Sequence, residues 1–339
     1  MTPSTVVITG ASGGVGRALA RVYGARGDRV ALLARGEAGL AGAAQDVADA
    51  GGQPLPIVTD VADADQVEAA AERIETELGP IDVWINNAMV TVMARTWDTT
   101  PEEFRRVTEI DYLGYVHGTL SALRRMRPRD AGTIVQVGSA LAFRGIPLQG
   151  AYCASKHAIV GFTETLHAEL LAEDSRIRLC AVHLPGVNTT QFTWGRNKLP
   201  NKPQPVPPIF QPEVAAEAIA WAADHGRRLT YVGASTVLTV WGNRLARPLI
   251  ARYLARTNIE AQQRDEPADP HTPGNLLAPD DDERDHGAHG PFDDRARSWS
   301  AAQFLSSRRG PIAAGVTLAG GLGWLVARSF AAPGVSRRT

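Results

Sequence analysis

Thr5-Val6-Val7-Ile8-Thr9-Gly10-Ala11-Ser12-Gly13-Gly14-Val15-Gly16 is the stretch that decides how the rest of the chain is read. Its first five residues are all β-branched, the composition of a strand buried on both faces. Glycines then recur at 10, 13, 14 and 16, and a helix-forming run, Arg17–Tyr23, begins at once. A glycine loop between a strand and a helix lets the backbone turn tightly. It also brings the N–H groups of the helix start against a pyrophosphate. The placement of the loop, more than its glycine content, points to a dinucleotide site.

Working outward, short apolar runs rich in Val and Ile recur at Arg29–Ala34, Pro56–Thr59, Ile81–Asn86, Thr133–Val137, Ile177–Leu184 and Leu229–Val232. Segments such as Asp63–Leu78 and Pro101–Met126 lie between them and are long enough for crossover helices. Thr100-Pro101-Glu102-Glu103 carries an N-cap, a first-turn proline and a capping-box glutamate. Strands alternating with helices predict an α/β fold with a doubly wound parallel sheet.

Composition narrows the classes further. The chain has 339 residues with 35 Lys+Arg against 36 Asp+Glu, and this balance offers no basic excess for binding nucleic acid. It is 44% hydrophobic, enough for a sizeable core. Two cysteines, Cys153 and Cys180, exclude a disulfide scaffold or a cysteine-rich metal site, and no other metal-ligand cluster is read. The Thr5–Ile8 run is too short for a signal peptide, so a cytoplasmic protein is expected.

The second strand ends in Ala34-Arg35, where an acidic residue would bind a ribose 2′-hydroxyl and repel a 2′-phosphate. Arg35, with Arg17 just beyond the loop, therefore predicts NADP(H) over NAD(H). Farther along, Tyr152-Cys153-Ala154-Ser155-Lys156 places a phenol and an ammonium four residues apart, on one face of a helix. The cation is expected to lower the phenol's pKa and fit Tyr152 for general acid–base work. Ser139 ends a buried strand at the sheet edge where such folds bind ligands.

With these residues in hand, the chain is similar to the short-chain dehydrogenase/reductase family, in its single-domain, Rossmann-fold branch. The likeness covers residues 1–257. It rests on the loop at 9–16, Asp60-Val61, Asn86-Asn87-Ala88, Ser139, Tyr152-x-x-x-Lys156 and Pro185-Gly186. The resemblance implies an oxidoreductase that interconverts a carbonyl and a secondary alcohol. Gly10, Ser12, Gly14, Val15 and Gly16 would cradle the cofactor, and Asp60 and Val61 would contact adenine. Asn87 and Ala88 would line its channel, and Lys156 would bind the nicotinamide ribose. Pro185, Gly186, Val187 and either Thr189 or Thr190 would hold the carboxamide. Ser139, Tyr152 and Lys156 would be catalytic, with a homo-oligomer as the family expectation. A non-catalytic NADP(H) sensor or scaffold is the alternative.

Two residues depart from the family pattern. Asp111 stands where the family has Asn, and its carboxylate would offset part of the Lys156 field. Met89 replaces a common Gly. On the substrate side, Asn188–Pro212 falls where the family places a lid. Its Phe192 and Trp194 suit a bulky apolar ketone or alcohol, and Arg196, Lys198 and Lys202 suit an anionic group. Phe143, Arg144, Ile146, Pro147 and Gln149 are expected in the pocket. Residues 258–309 have few apolar groups to offset ordering entropy and are expected to be a disordered linker. Gly310–Ala327, uncharged and bracketed by arginines within the final segment 310–339, reads as a membrane contact, a docked helix or a tail.

Overall fold

The fold is described from a computed structural model, which covers residues 3–269 and 271–300. Thr5–Thr9 is the first strand (β1), buried at all five residues. It is followed by helix α1 (Gly14–Gly24), β2 (Arg29–Ala34), α2 (Glu37–Asp49), β3 (Gln53–Val58) and α3 (Ala64–Leu78). Next come β4 (Val83–Asn86), α4 (Pro101–Thr108), α5 (Gly114–Met126), β5 (Thr133–Ser139) and α6 (Gly150–Ala172). The series ends with β6 (Arg178–Leu184), α7 (Pro212–Asp224), β7 (Leu229–Tyr231), α8 (Gly233–Leu245) and α9 (Arg247–Ala261).

The strands form one seven-stranded sheet in the order β7-β6-β5-β4-β1-β2-β3, with every pairing parallel. The order reverses between β1 and β4, which opens a crevice at the C-terminal strand ends. Alternation explains the continuous apolar runs. Val6 and Ile8 pack with Leu19, Leu40 and Val214 on one face, while Val7 packs with Ile74, Trp84 and Leu166 on the other.

All seven expected strands form, and their ends shift for identifiable reasons. β3 begins at Gln53, ahead of Pro56, because it is an edge strand whose only partner is β2. Its prolines therefore lose no ladder bond on a second side. β5 runs on to Ser139, whose hydroxyl accepts from the Leu141 N–H (3.1 Å) to cap the next turn. The capping box at Thr100 and Glu103 forms as expected, with reciprocal bonds of 3.2 and 2.9 Å.

The expectation of a disordered linker is corrected over 258–269 and 271–300, and the compact unit runs to Ser300, well past 257. Helix α9 continues to Ala261, and Gln263–Pro267 pairs antiparallel with Asn201–Pro203. Leu276, Ala288 and Phe292 are at most 3% exposed. Counting apolar residues misses this order because polar contacts carry much of it. Arg17 pairs with Asp285, the Gly39 and Ala38 N–H groups donate to the Asp281 and Asp282 carbonyls, and Asn188 donates to Asp293. The expectations for 301–309 and for the membrane contact at 310–327 lie outside the described residues. Among the described residues, no helix is long and apolar enough to cross a membrane.

Candidate active site

A cleft of about 720 Å³ opens over the C-terminal ends of the strands and meets nearly every residue singled out from the sequence. Its floor is the glycine loop. Gly10 has φ +66°, and a Cβ there would lie 2.7 Å from the Ala88 Cα, so only glycine permits this turn beside that backbone. Thr9 and Asn87 fix the loop. The Thr9 hydroxyl accepts from the Asn87 and Ala88 N–H groups (2.9 and 3.1 Å), and the Asn87 amide donates to the Thr9 carbonyl (2.9 Å). The first turn of α1 has no side-chain cap, and its Gly14 and Val15 line the cleft, the kind of helix start that can cradle an anion.

The wall opposite carries Ser139, Tyr152 and Lys156, brought together by the end of β5 and one face of α6. The Ser139 hydroxyl bonds the Tyr152 phenol and pulls its pKa down. Burial and the Asp111 charge push the other way and dominate, so the phenol titrates above its ordinary value of 10. This corrects the expectation of a phenol depressed by Lys156. The ammonium stands 5.6 Å from the Tyr152 ring centroid but spends its hydrogen bonds elsewhere. It donates to the Tyr115 hydroxyl (2.9 Å) and the Val137 carbonyl (3.1 Å), and Tyr115 itself donates to Val137 (3.0 Å).

Tyr115 is thus a residue of the site that the motif reading missed. It is 1% exposed, lines the cleft and sits one residue past Gly114, at the start of α5. The available signal was its position four residues beyond Asp111, on the same helical face as that departure.

Asp111 lies in a π-helical turn, Glu109–Leu113, between α4 and α5. Such turns often mark functional positions. Its Oδ1 accepts from the Val90 N–H (2.8 Å), whereas Oδ2 is buried without a hydrogen-bond partner among the described residues. Burial pushes this carboxyl well above the usual carboxylate range and pulls Lys156 below the usual amine range, while their mutual attraction opposes both shifts. Met89, the second departure, lines the cleft beside Ala88.

Asp60 and Val61 reach the far end of the cleft, where Asp60 pairs with Arg106. Pro185, Gly186, Val187, Thr189 and Thr190 all line it as well. Thr189 stands beside Gly14 and Thr190 beside Gly13, so the structure brings both threonines to the loop. Trp194 of the lid lies against Gly13, 2.8 Å from where a Cβ would be. Of the pocket residues expected between Ser139 and Tyr152, Arg144, Ile146 and Gln149 line the cleft. Phe143 instead stacks edge-on against His183 and Tyr231. The lid cations do not face a substrate anion: Arg196 and Lys198 pair with Glu103, and Lys202 with Glu266.

Arg35 lines the cleft, but its guanidinium already donates to the carbonyls of Asn275, Leu276 and Leu277. Those residues begin a strap, residues 275–293, that reaches the cleft through Asn275, Pro279 and Asp281 and was not anticipated there. The Gly14 N–H donates to the Gly287 carbonyl at 3.4 Å along its path. The glycine cradle, the uncapped helix start and an orphaned carboxylate oxygen on Asp281 together fit a nicotinamide dinucleotide.

A sequence profile of the short chain dehydrogenase family matches residues 4–199. The uncharacterized oxidoreductase YxnA of Bacillus subtilis is 27% identical over 327 residues, covering 95% of this chain and 90% of that protein. A short chain dehydrogenase/reductase from Burkholderia phymatum, solved in complex with NAD, matches with TM-score 0.66 at 24% identity over 74% of this chain and 95% of that one. An alcohol dehydrogenase from the archaeon Thermococcus sibiricus, complexed with 5-hydroxy-NADP, matches with TM-score 0.58 at 24% identity over 67% of this chain and 94% of that one. At these identities the two structures speak for the fold.

Proposed function

The chain belongs to the short-chain dehydrogenase/reductase family, and on that premise we propose that it interconverts a carbonyl and a secondary alcohol, with Tyr152 exchanging the proton. The observation that carries this reading is the convergence of Ser139, Tyr152 and Lys156 on one wall of a cleft whose floor is the glycine loop. A nicotinamide dinucleotide held by the glycine loop and Lys156 would supply or accept the hydride. Ser139 holds the reacting oxygen, and the phenol beside it delivers the proton during reduction. A phenol whose pKa is raised stays protonated through neutral pH, which suits it as the acid in that direction. Lys156 uses two of its three N–H donors on Tyr115 and Val137, leaving the third for a ligand hydroxyl in the cleft.

The substrate end of the cleft is walled by Leu141, Ile146, Val206, Ile250 and Leu254, which favours a bulky apolar ketone or alcohol. The pairing of the lid cations with Glu103 and Glu266 removes the argument for an anionic substrate. As to the cofactor, Arg35 argues for NADP(H) only if its guanidinium is available, and in this arrangement the strap carbonyls hold it.

The test is consumption of NADH and NADPH against a panel of bulky ketones and quinones, with Tyr152→Phe beside the parent. Turnover by the parent and its loss in the variant, with reduced cofactor still bound, is the expected result. Undiminished turnover in Tyr152→Phe would remove the proton-transfer role.

A further inference from the structure

The end of β2 carries no acidic residue, but one from a distant part of the chain, Asp281, stands beside it. Asp281 is 5% exposed, lines the cleft, and has an Oδ2 with no hydrogen-bond partner among the described residues. It lies against the turn that joins β2 to α2. A Cβ at Gly36 or Gly39 would run into its carboxylate, and Ser12 of the cofactor loop borders the same space, 2.8 Å from a Cβ at Gly39. The N-cap and first turns of helix α2 read Gly36-Glu37-Ala38-Gly39-Leu40-Ala41-Gly42, a face stripped of side chains at every third residue, and the strap lies on it. The strap is anchored there by the Gly39 and Ala38 N–H groups, which donate to the Asp281 and Asp282 carbonyls (3.0 and 3.2 Å). These are N–H groups of the first helical turn, which have no partner within the helix.

We propose that Asp281 accepts the hydrogen bonds of the adenosine ribose hydroxyls, so that this chain selects NAD(H) over NADP(H), and that Arg35 serves to hold the strap. The assignment rests on the dinucleotide reading above and goes past it by naming the discriminating residue. A carboxylate matches a ribose diol, one oxygen to each hydroxyl, whereas a 2′-phosphate brought to the same point meets like charge. The local balance agrees. Among the charges that act most strongly on Arg35 are the Asp60, Asp281 and Asp282 carboxylates, with the Arg106 guanidinium opposing them. The orphaned oxygen has the same meaning, since a buried carboxylate lacking a donor is costly until a ligand supplies one.

Binding, measured apart from turnover, tests this. NADH and NADPH are titrated by fluorescence into the full chain, its Asp281→Asn variant and its Arg35→Ala variant. The parent is expected to hold NADH more tightly than NADPH. Asp281→Asn should weaken NADH between about 10- and 100-fold, the range for a hydrogen bond to a charged group, and narrow the gap to NADPH. Arg35→Ala should weaken both nucleotides by the same factor, because it loosens the strap. A parent that prefers NADPH, with Arg35→Ala cutting NADPH alone, overturns the assignment and returns Arg35 to a 2′-phosphate. Binding of neither nucleotide by the parent overturns the dinucleotide reading beneath it. Should Asp281→Asn fail to fold, competition on the parent between ADP-ribose and its 2′-phosphorylated counterpart decides, with the unphosphorylated ligand expected to win.

Discussion

The two ends of the cleft are built on different scales of the chain. At the catalytic end, Tyr152 and Lys156 are four residues apart on α6, and Ser139 is the last residue of the strand just before it. Around the strap, Arg17 meets Asp285 across 268 positions, and Arg35, which lines the cleft, meets Asn275 across 240. The first arrangement is fixed by helix periodicity once the sheet forms. The second needs the strap to find its groove, and nothing local dictates it. On the proposed function, chemistry would be concentrated where spacing is short, and the choice of ligand would rest on long-range contacts that sequence change can redraw without touching the wall of Ser139, Tyr152 and Lys156.

If this division holds, damage at the catalytic end should cost turnover and leave binding intact. The largest effect is expected for Tyr152→Phe, which removes one hydroxyl. Its kcat should fall by roughly 10²–10⁴-fold, the usual worth of a positioned general acid, while dinucleotide affinity stays near that of the parent. Equal losses in both quantities would show that the two ends are not separable.

Damage at the strap should register first as stability. Arg17 is 3% exposed, with bonds of 2.6 Å to Asp46 and 3.0 Å to Asp285 and a further 3.0 Å bond to the Gly39 carbonyl. Arg17→Met is expected to cost about 2–3 kcal/mol in urea unfolding, less than a fully buried pair because Asp285 is partly solvated. Arg21 shares the Asp46 carboxylate but is 43% exposed, and Arg21→Met should cost less than about 1 kcal/mol. Similar losses for the two would mean the strap adds nothing to the anchor.

Tyr115→Phe probes the catalytic end more gently, by removing an acceptor from Lys156 and leaving the ring in place. About a tenfold fall in kcat is expected, with KM for the ketone little changed, consistent with the loss of one hydrogen bond to a charged group. Because Tyr115 acts through Lys156, the loss should grow as pH rises and the less well held ammonium deprotonates. A pH-independent loss would leave Tyr115 a purely structural residue.

What was legible in the sequence follows the same division. The seven strands, the glycine loop and the Ser139, Tyr152 and Lys156 set could be read because each is a local pattern of composition or spacing. Arg35 lines the cleft, but its partners come from a segment whose Asp-rich composition signals solvation. Composition does not reveal that Asp281 and Asp282 offer their carbonyls to a helix start, or that Asp285 meets a buried arginine. The repeat of glycine at 36, 39 and 42 was the trace of that docking, visible in the sequence but without meaning until its partner was placed. Tyr115 escaped for a related reason: a buried aromatic at the start of a helix is ordinarily core, and only its hydroxyl's contact with Lys156 distinguishes it.

The smallest expected effect is a displacement of pH profiles, and it reports on Asp111. Its negative charge favours the neutral Tyr152 phenol over the phenolate and the Lys156 ammonium over the amine. Asp111→Asn removes that charge, so both groups should release their protons at lower pH. Reduction needs the protonated phenol, and its rate should begin to fall at a lower pH than in the parent. Oxidation needs the phenolate, and its rate should begin to rise at a lower pH. Both limbs should move down by on the order of one unit. The displacement has a floor, because burial also raises the pKa of Asp111 itself. Below that value the parent's carboxyl is neutral, and the two profiles should coincide, parting only as it ionises. Profiles of kcat in both directions that overlay across the whole range would mean the carboxyl never ionises in the working enzyme, and the departure from the family's Asn would then be electrostatically silent.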